Sequence, residues 1–285
     1  METRIASTTR EVIISDNGPT VLIGERINPS GKKKLQDELL AGKLDLVRHE
    51  AIQQVQEGAD ILDVNVGATG VDEVTLLPAA VEAIMEVTDV PLCLDSGNPR
   101  ALEAALKVYR GRPLVNSVTA EHSSLSDILA LVKEHDCAVI GLTMDEKGIP
   151  RDAARRVELA HYIIDTATQM GISRHDIIID CLNMPAAANA EASTALIEAL
   201  IEVRSQLGVN MTLGISNISF GLPDRPLLNG VFMSIAVHLG VNCPVVDVAK
   251  VRPYVLAADA LLGKDQHMRR FIHDYRGRQK QASHG

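Results

Sequence analysis

Carboxylates and carboxamides stand at the ends of several short apolar segments of this 285-residue chain. They are Asp63, Asn65, Asp95, Asn116, Asp180 and Asn217. A parallel strand buried on both faces is a continuous apolar run, so a polar residue at its carboxyl end usually lies at the mouth of a barrel. A carboxylate accepts two parallel hydrogen bonds from a ring N–H and a neighbouring amino group, while an amide both donates and accepts. The set therefore predicts a site for a polar heterocycle such as a pterin or a purine.

The same strand ends lack the usual nucleophiles and general bases. They carry no histidine and no GxSxG elbow, and Lys250 is the only lysine placed at one of them. The nine histidines show no HExxH or HxH spacing, and the four cysteines form no CxxC pair, so we interpret the cysteines as small core residues. No metal site is predicted.

The elements that position these residues alternate regularly. Apolar runs predict strands near 21–27, 61–67, 91–96, 114–119, 137–144, 176–182, 211–217 and 244–250. Helical periodicity predicts helices at 46–56, 74–87, 102–109, 125–135, 157–170, 192–207, 228–239 and 255–262. Eight βα units favour an α/β fold, a single-domain (β/α)8 TIM barrel, over an open doubly wound sheet. No GxGxxG follows a strand, which weakens the dinucleotide-binding alternative.

Helix punctuation agrees with these boundaries. Asp152 is expected to cap the fifth helix and Ser123 the fourth. Glycines at 58, 171, 208 and 240 stand where helices should stop. We expect one domain over 1–285, in which 269–285 is a flexible basic tail.

Composition excludes several classes of protein. The formal net charge of -9 disfavours a nucleic-acid partner, and 2% aromatic residues leave few stacking platforms for single strands. No segment is apolar enough for a membrane span or a signal peptide, so a cytoplasmic location is expected. The expected partners are a small molecule or another protein.

Six segments together carry a resemblance to a known family. They are 24–31 (GERINPSG), 60–65 (DILDVN), 94–96 (LDS), 115–117 (VNS), 144–150 (MDEKGIP) and 214–223 (GISNISFGLP). In this order, at successive strand ends, they resemble the pterin-binding barrel of methyltetrahydrofolate:corrinoid protein methyltransferases. The similarity extends from about residue 22 to residue 262. The same barrel occurs in the folate module of cobalamin-dependent methionine synthase and in dihydropteroate synthase.

The resemblance implies roles for individual residues. Asp180 matches the carboxylate that binds the N–H and amino edge of the pterin, and Asn116 matches the amide that binds the opposite part of the ring. Asp95 matches a further acidic residue of the pocket, and Asp63 lies on the neighbouring strand. Asn217 matches the amide that approaches N5, the atom that bears the methyl group. Phe220 and Arg225 lie in the following loop, where the family also contacts its ligand.

The resemblance also implies a reaction and its partners. Methyltetrahydrofolate or tetrahydrofolate is the substrate, and Asn217 is the donor that stabilises N5 as the methyl group leaves. The chain has no DxHxxG corrinoid-binding motif, so the cobalt(I) corrinoid must come from a separate corrinoid protein. The family forms homodimers through helices on the outside of the barrel.

Structural alternatives remain open for several of these residues. Asp63 and Asn65 could satisfy a turn or cap a helix, and Asp95 could be an N-cap. Asp247 and Lys250 could form a local ion pair, and Arg225 could simply cover the surface.

Functional alternatives also remain. Dihydropteroate synthase is the main rival, but residues 246–251 do not carry the Ser-x-Arg-x-His segment of that family. Methionine synthase activity in one chain would need a zinc site built from cysteines. A pterin-binding subunit without catalytic activity is the third possibility.

Overall fold

The computed structural model describes residues 1–187 and 191–282, and a sheet of eight parallel strands forms its centre. Two antiparallel strands, β1 (Glu2–Ala6) and β2 (Glu11–Ser15), form an N-terminal hairpin. The eight parallel strands are β3 (Ile23–Ile27), β4 (Ile61–Val64), β5 (Leu92–Asp95), β6 (Leu114–Thr119), β7 (Ala138–Leu142), β8 (Ile177–Asp180), β9 (Asn210–Thr212) and β10 (Val245–Val246). The parallel sheet has the order β10-β3-β4-β5-β6-β7-β8-β9. Parallel bridges from Met211 to Val241 and from Gly214 to Val245 bring its two ends together. The predicted single-domain (β/α)8 barrel is confirmed.

One or two helices lie between successive parallel strands. The helices are α1 (Lys33–Leu40), α2 (Asp45–Glu57), α3 (Glu73–Met85), α4 (Pro99–Val108), α5 (His122–Glu134), α6 (Ala153–Gln169), α7 (Ala192–Leu207), α8 (Arg225–His238), α9 (Val248–Leu261) and α10 (Arg269–Ala282). Asp152 caps α6 by accepting the N–H of Arg155, as predicted. Ser123 lies inside α5, whose N-cap position is Glu121, so the predicted cap at Ser123 is wrong.

Alternate residues of each strand face opposite sides of the barrel wall. Ile177 and Ile179 pack in the apolar layer beneath the helices, whereas Ile178 packs in the cluster that fills the barrel. The same alternation in β5 sends Leu92 and Leu94 outward. Because the side-chain period of a strand is two, residues two positions after an inward residue also face the barrel axis.

The last two strands of the barrel are shorter than the sequence predicts. β9 ends at Thr212 and is followed by a 3-10 turn at Ile215–Asn217. β10 has two residues, and α9 already begins at Val248. Lys250 therefore lies on a helix and not at a strand end, and its ammonium pairs with Asp247 at 2.6 Å.

The N-terminal hairpin of β1 and β2 closes the amino-terminal end of the barrel. The sequence patterns did not predict these two strands. Ile5, Val12 and Ile14 join the cluster inside the barrel. Asn210 Nδ2 donates to Thr3 Oγ1 at 2.8 Å and to the Ile14 carbonyl at 3.1 Å. The hairpin thus forms the floor beneath the carboxyl-end mouth.

Residues 269–282 of the basic C-terminal segment form α10, and the expected flexibility of residues 269–285 stays a prediction. Asp274 pairs with Arg252 of α9 and with Arg278, which it meets at 2.8 Å. Arg270 also meets the buried Asp259 at 3.3 Å. The pairs with Arg252 and Asp259 hold the helix against α9, a cause that apolar periodicity could not reveal. The final three residues of the expected tail lie outside the described part.

No helix in the described part of the chain is long and apolar enough to cross a membrane.

Candidate active site

Five polar side chains from five strands face the barrel axis at its carboxyl end. They are Glu25, Asp63, Asp95, Asn116 and Asp180, and each lies two residues after an inward apolar residue. The inward residues below them are Ile23, Ile61, Cys93, Leu114 and Ile178. The period of two along a strand therefore gathers these polar groups above the filled interior of the barrel.

Asn116 and Asp63 are in direct contact. The Nδ2 of Asn116 donates a hydrogen bond to Oδ1 of Asp63 at 3.0 Å. In the sheet, Asn116 pairs with Asp95, and the register of β6 shifts between Asn116 and Val118. Such an irregularity re-aims side chains locally. The structure thus brings together the three predicted pterin ligands from β4, β5 and β6.

Asp63 and Asp95 form a pair of hydrogen-bonded carboxyl groups. Burial, with the charge of Asp95 added, raises the pKa of Asp63 well above its usual value. Burial also raises the pKa of Asp95 to about 6, although hydrogen bonds with Asn65 and Asp63 oppose this rise. Burial and the charge of Asp95 therefore favour the protonated form of Asp63.

The sequence left a turn or cap role open for Asn65 and an N-cap role open for Asp95. Asn65 Oδ1 accepts the N–H of Gly67 at 2.8 Å, so the predicted turn is present, while Asn65 also bonds Asp95. The N-cap of α4 is Asn98. Asp95 is therefore free of the capping role that the sequence left open.

Asp180 ends β8 and is 8% exposed. Its Oδ1 accepts the N–H of Leu182 at 2.7 Å. Burial raises the pKa of Asp180 to about 7, against the lowering effects of the Leu182 hydrogen bond and the positive charge of Arg156. Cys243, inside the barrel, is close enough to interact electrostatically with both Asp180 and Cys93. Asp180 and Asp63 each lie two residues after an interior residue, Ile178 and Ile61, so both face the same barrel interior.

Asn217 and Phe220, in the segment after β9, form a second, exposed group with Arg225. Arg225 is the first residue of α8, so its predicted place in the loop is wrong. Arg225 donates through Nε to Ser219 Oγ at 3.1 Å and through Nη2 to the Ser216 carbonyl at 2.9 Å. Its guanidinium lies 5.9 Å from the centre of the Phe220 ring, within cation–π range. Arg225 thus braces the turn that carries Asn217 in addition to covering the surface.

Glu25, which the sequence reading did not select, joins the two groups. Ser216, the neighbour of Asn217, donates its hydroxyl to Glu25 Oε1 at 2.6 Å. Glu25 also raises the pKa of Asp63 through its negative charge, so it lies near the first group. A charged residue two positions after Ile23 in an inward-facing strand was the sequence signal that could have identified it.

The predicted residues are therefore assembled in part. Asp63, Asp95 and Asn116 form one hydrogen-bonded cluster, and Asp180 faces the same interior from β8. Within the described chain, no hydrogen bond joins the side chain of Asn217 to that cluster, and Ser216 and Glu25 link the two groups indirectly.

No group of three or more histidine, cysteine, aspartate or glutamate residues in the described ranges is arranged to hold a metal ion.

An α/β barrel with this acceptor-rich mouth suits a ring that presents N–H and amino groups. Residues 24–247 match the family model of pterin binding enzymes, and the chain belongs to that family. The methylcorrinoid:tetrahydrofolate methyltransferase of Eubacterium limosum is 31% identical over 266 residues, which cover 90% of this chain and 96% of that protein. The resemblance stated from the sequence segments is confirmed.

Two further likenesses are more limited. The methionine synthase of Mycobacterium tuberculosis is 32% identical over 265 residues, which are 88% of this chain and 22% of that protein. This chain therefore spans about a fifth of that relative. Dihydropteroate synthase from Xanthomonas albilineans in complex with 7,8-dihydropteroate superposes with a TM-score of 0.69 at 20% identity, over 91% of this chain and 99% of that one. At this identity the likeness concerns the fold alone.

Proposed function

We propose that this chain is a methyltransferase that moves the N5-methyl group between methyltetrahydrofolate and the cobalt(I) corrinoid of a separate corrinoid protein. The observation that carries the proposal is the inward cluster of Asp63, Asp95 and Asn116, with Asp180 facing the same interior. The full-length likeness to a methylcorrinoid:tetrahydrofolate methyltransferase supports it.

The acceptor groups at the mouth suit a pterin. The ring presents an amino group and an adjacent N–H on one edge, and the Asp180 carboxylate accepts both as charge-assisted hydrogen bonds. Asn116 bonds the opposite part of the ring, because its carboxamide retains an acceptor oxygen while Nδ2 is engaged by Asp63. Asp63 and Asp95 complete the pocket around the ring, and Phe220 in the loop after β9 and Arg225 at the start of α8 border it.

Asn217 acts on the reacting atom in this proposal. A tertiary amine is a poor leaving group, so N5 needs a strong hydrogen bond or a proton as the bond to the methyl carbon breaks. An amide donor there stabilises the transition state by about 3 kcal/mol. The reduced corrinoid of the partner protein supplies the nucleophile. This chain contributes the fixed orientation of the pterin, which faces its methyl group out of the mouth.

The dihydropteroate synthase alternative lacks support at the last strand. Its family places an anion-binding Ser-x-Arg-x-His segment there, whereas this chain has a two-residue strand followed directly by α9. Asp247 and Lys250 form an ion pair at that position.

A test separates the candidate functions. The purified chain is mixed with methyltetrahydrofolate and chemically reduced cobalamin, and loss of the cobalt(I) absorbance is followed. Methyl transfer supports the proposal, and pterin binding without transfer to cobalamin or to a corrinoid protein indicates a non-catalytic binding subunit. Formation of dihydropteroate from p-aminobenzoate and a pterin diphosphate would instead identify a dihydropteroate synthase.

The proposal includes a homodimer formed through the outer face of α8. Leu227, Val231 and Ile235 are 52%, 50% and 40% exposed and recur every four residues on that helix. Light scattering of Val231→Glu tests this point, with the exposed Ile201→Glu on α7 as the control.

A cytoplasmic location stays a prediction.

A further inference from the structure

Arg156 is a fully buried arginine beside the candidate site. It is the fourth residue of α6, and its side chain is 0% exposed. Burying a guanidinium is costly unless the structure satisfies its hydrogen bonds and compensates its charge. Its position near Asp180 therefore calls for an explanation beyond packing.

The guanidinium bonds main-chain carbonyls of two loops at the barrel mouth. Nε donates to the Pro150 carbonyl at 2.9 Å, in the loop after β7. Nη1 donates to the carbonyls of Cys181 and Leu182 at 3.0 and 2.9 Å, in the loop after β8. Nη2 is buried and has no hydrogen-bond partner among the described residues. Arg156 thus ties the loop that follows Asp180 to its neighbour.

The loop held by Arg156 has an unusual backbone. Leu182 has a φ of 59°, a left-handed conformation that residues other than glycine seldom adopt. The N–H of Leu182 is the donor to Asp180 Oδ1. The bonds that Arg156 donates to the two carbonyls and the bond that the intervening Leu182 N–H donates to Asp180 therefore act on the same turn. If the carbonyls lost their donor, the Leu182 N–H could move away from the carboxylate.

We propose that Arg156 is a positioning residue for pterin binding, which fixes the Cys181–Leu182 turn that orients the Asp180 carboxylate. The inference rests on the proposed function, in which the ionised Asp180 binds the pterin edge. Arg156 itself touches no ligand and acts through Asp180.

Among the described residues, few charged groups face Asp180. Arg156 is the positive one, and its charge lowers the pKa of Asp180. The thiols of Cys181 and Cys243 also interact with Asp180, but burial raises the pKa of both thiols, so they stay neutral. Removing the guanidinium therefore raises the pKa of Asp180 further. A pterin that needs the carboxylate would then bind only at higher pH.

The test is a pH profile of tetrahydrofolate binding by calorimetry, from about pH 5.5 to about pH 9. Arg156→Met is compared with wild type, with Arg156→Lys, and with Arg174→Met. Arg174 is a matched control because it donates to a main-chain carbonyl, that of Leu207 at 2.7 Å, but precedes the opposite end of β8.

We expect Arg156→Met to shift the midpoint of the binding profile upward by about one pH unit and to raise the limiting Kd about tenfold. Arg156→Lys keeps the charge, so its midpoint stays near that of wild type while its limiting Kd rises because the planar fork is lost. Arg174→Met should match wild type in both quantities. If Arg156→Met does not fold, Arg156→Lys still tests the positioning role.

Carbon-13 NMR of labelled aspartate in the unliganded proteins measures the Asp180 pKa directly. An unchanged Asp180 pKa and unchanged binding in Arg156→Met would overturn the inference, as would equal shifts in Arg174→Met. If wild type binds no tetrahydrofolate, the proposed function fails, whereas the NMR titration still reports whether Arg156 controls Asp180.

Discussion

Asn116 of β6 donates a 3.0 Å hydrogen bond to Asp63 of β4 across the intervening strand β5. This contact spans three adjacent strands and fixes the amide at the carboxyl-end mouth. It also places the amide nitrogen on a carboxyl group of this chain and leaves the amide oxygen for a ligand. The direction of this bond determines which ring atoms Asn116 can recognise.

Asn116→Asp is expected to weaken tetrahydrofolate binding by about tenfold or more, because it places a further carboxyl group beside the buried pair of Asp63 and Asp95. Calorimetry around neutral pH measures the change. The conservative Asn116→Gln keeps the amide chemistry and serves as the comparison. Equal affinities for Asn116→Asp and wild type would remove Asn116 from the binding site.

Asn217→Ala is expected to lower the methyl-transfer rate about a hundredfold, the typical effect of losing one transition-state donor. The side chain is exposed, so the thermal unfolding midpoint should stay within about 1 °C of wild type. Stopped-flow loss of the cobalt(I) absorbance measures the rate. Unchanged turnover would exclude Asn217 from the mechanism.

Asp180→Ala is expected to raise the dissociation constant for the pterin about tenfold to a hundredfold, through loss of a charge-assisted pair of hydrogen bonds. Calorimetry measures the constant. Asp165→Ala, which removes an exposed carboxylate from α6, is the control and should leave binding intact. An Asp180→Ala protein with wild-type affinity contradicts the assignment.

Asp180→Asn is expected to stabilise the unliganded protein at alkaline pH while it weakens pterin binding. Because the pKa of Asp180 is about 7 in the folded state, above its unfolded value, its contribution to stability is fully present below about pH 4 and is lost as pH rises through about 7. The amide removes this loss, a gain on the order of 2–4 kcal/mol at about pH 8.

Thermal unfolding of wild type and Asp180→Asn between about pH 5 and about pH 8 tests that sign. The gap between the two midpoints should widen as pH increases. Midpoints that stay parallel across this range would mean that Asp180 ionises in the folded state at its ordinary pKa.

Glu25→Ala is expected to reduce methyl transfer more than tetrahydrofolate affinity, because Glu25 holds Ser216 beside Asn217 through a 2.6 Å hydrogen bond. We expect a drop in rate of about tenfold with a Kd within about threefold of wild type. Rates and affinities measured on the same preparation separate the two effects. A loss confined to affinity would place Glu25 in the pterin pocket itself.

The sequence by itself determined the barrel, most of its strands and the strand ends that carry polar groups. Runs such as Ile177–Asp180 are local patterns, and the period of two sends Asp180 inward once the strand forms. The cap at Asp152 is local in the same sense. Motif resemblance supplied the expected roles of the site residues, and the family match agrees with that resemblance.

Only the tertiary structure decided which distant residues meet. The hydrogen bond of Asn210 with Thr3 spans 207 positions and that of Ser216 with Glu25 spans 191, so no local pattern predicts either. Arg156 lies just before the helix that the sequence predicts at 157–170, and only the fold buries it against the loop after β8. The physical reason is that propensity and periodicity act over a few residues, whereas burial, pKa shifts and hydrogen-bond partners depend on chain segments that only the closed barrel brings together.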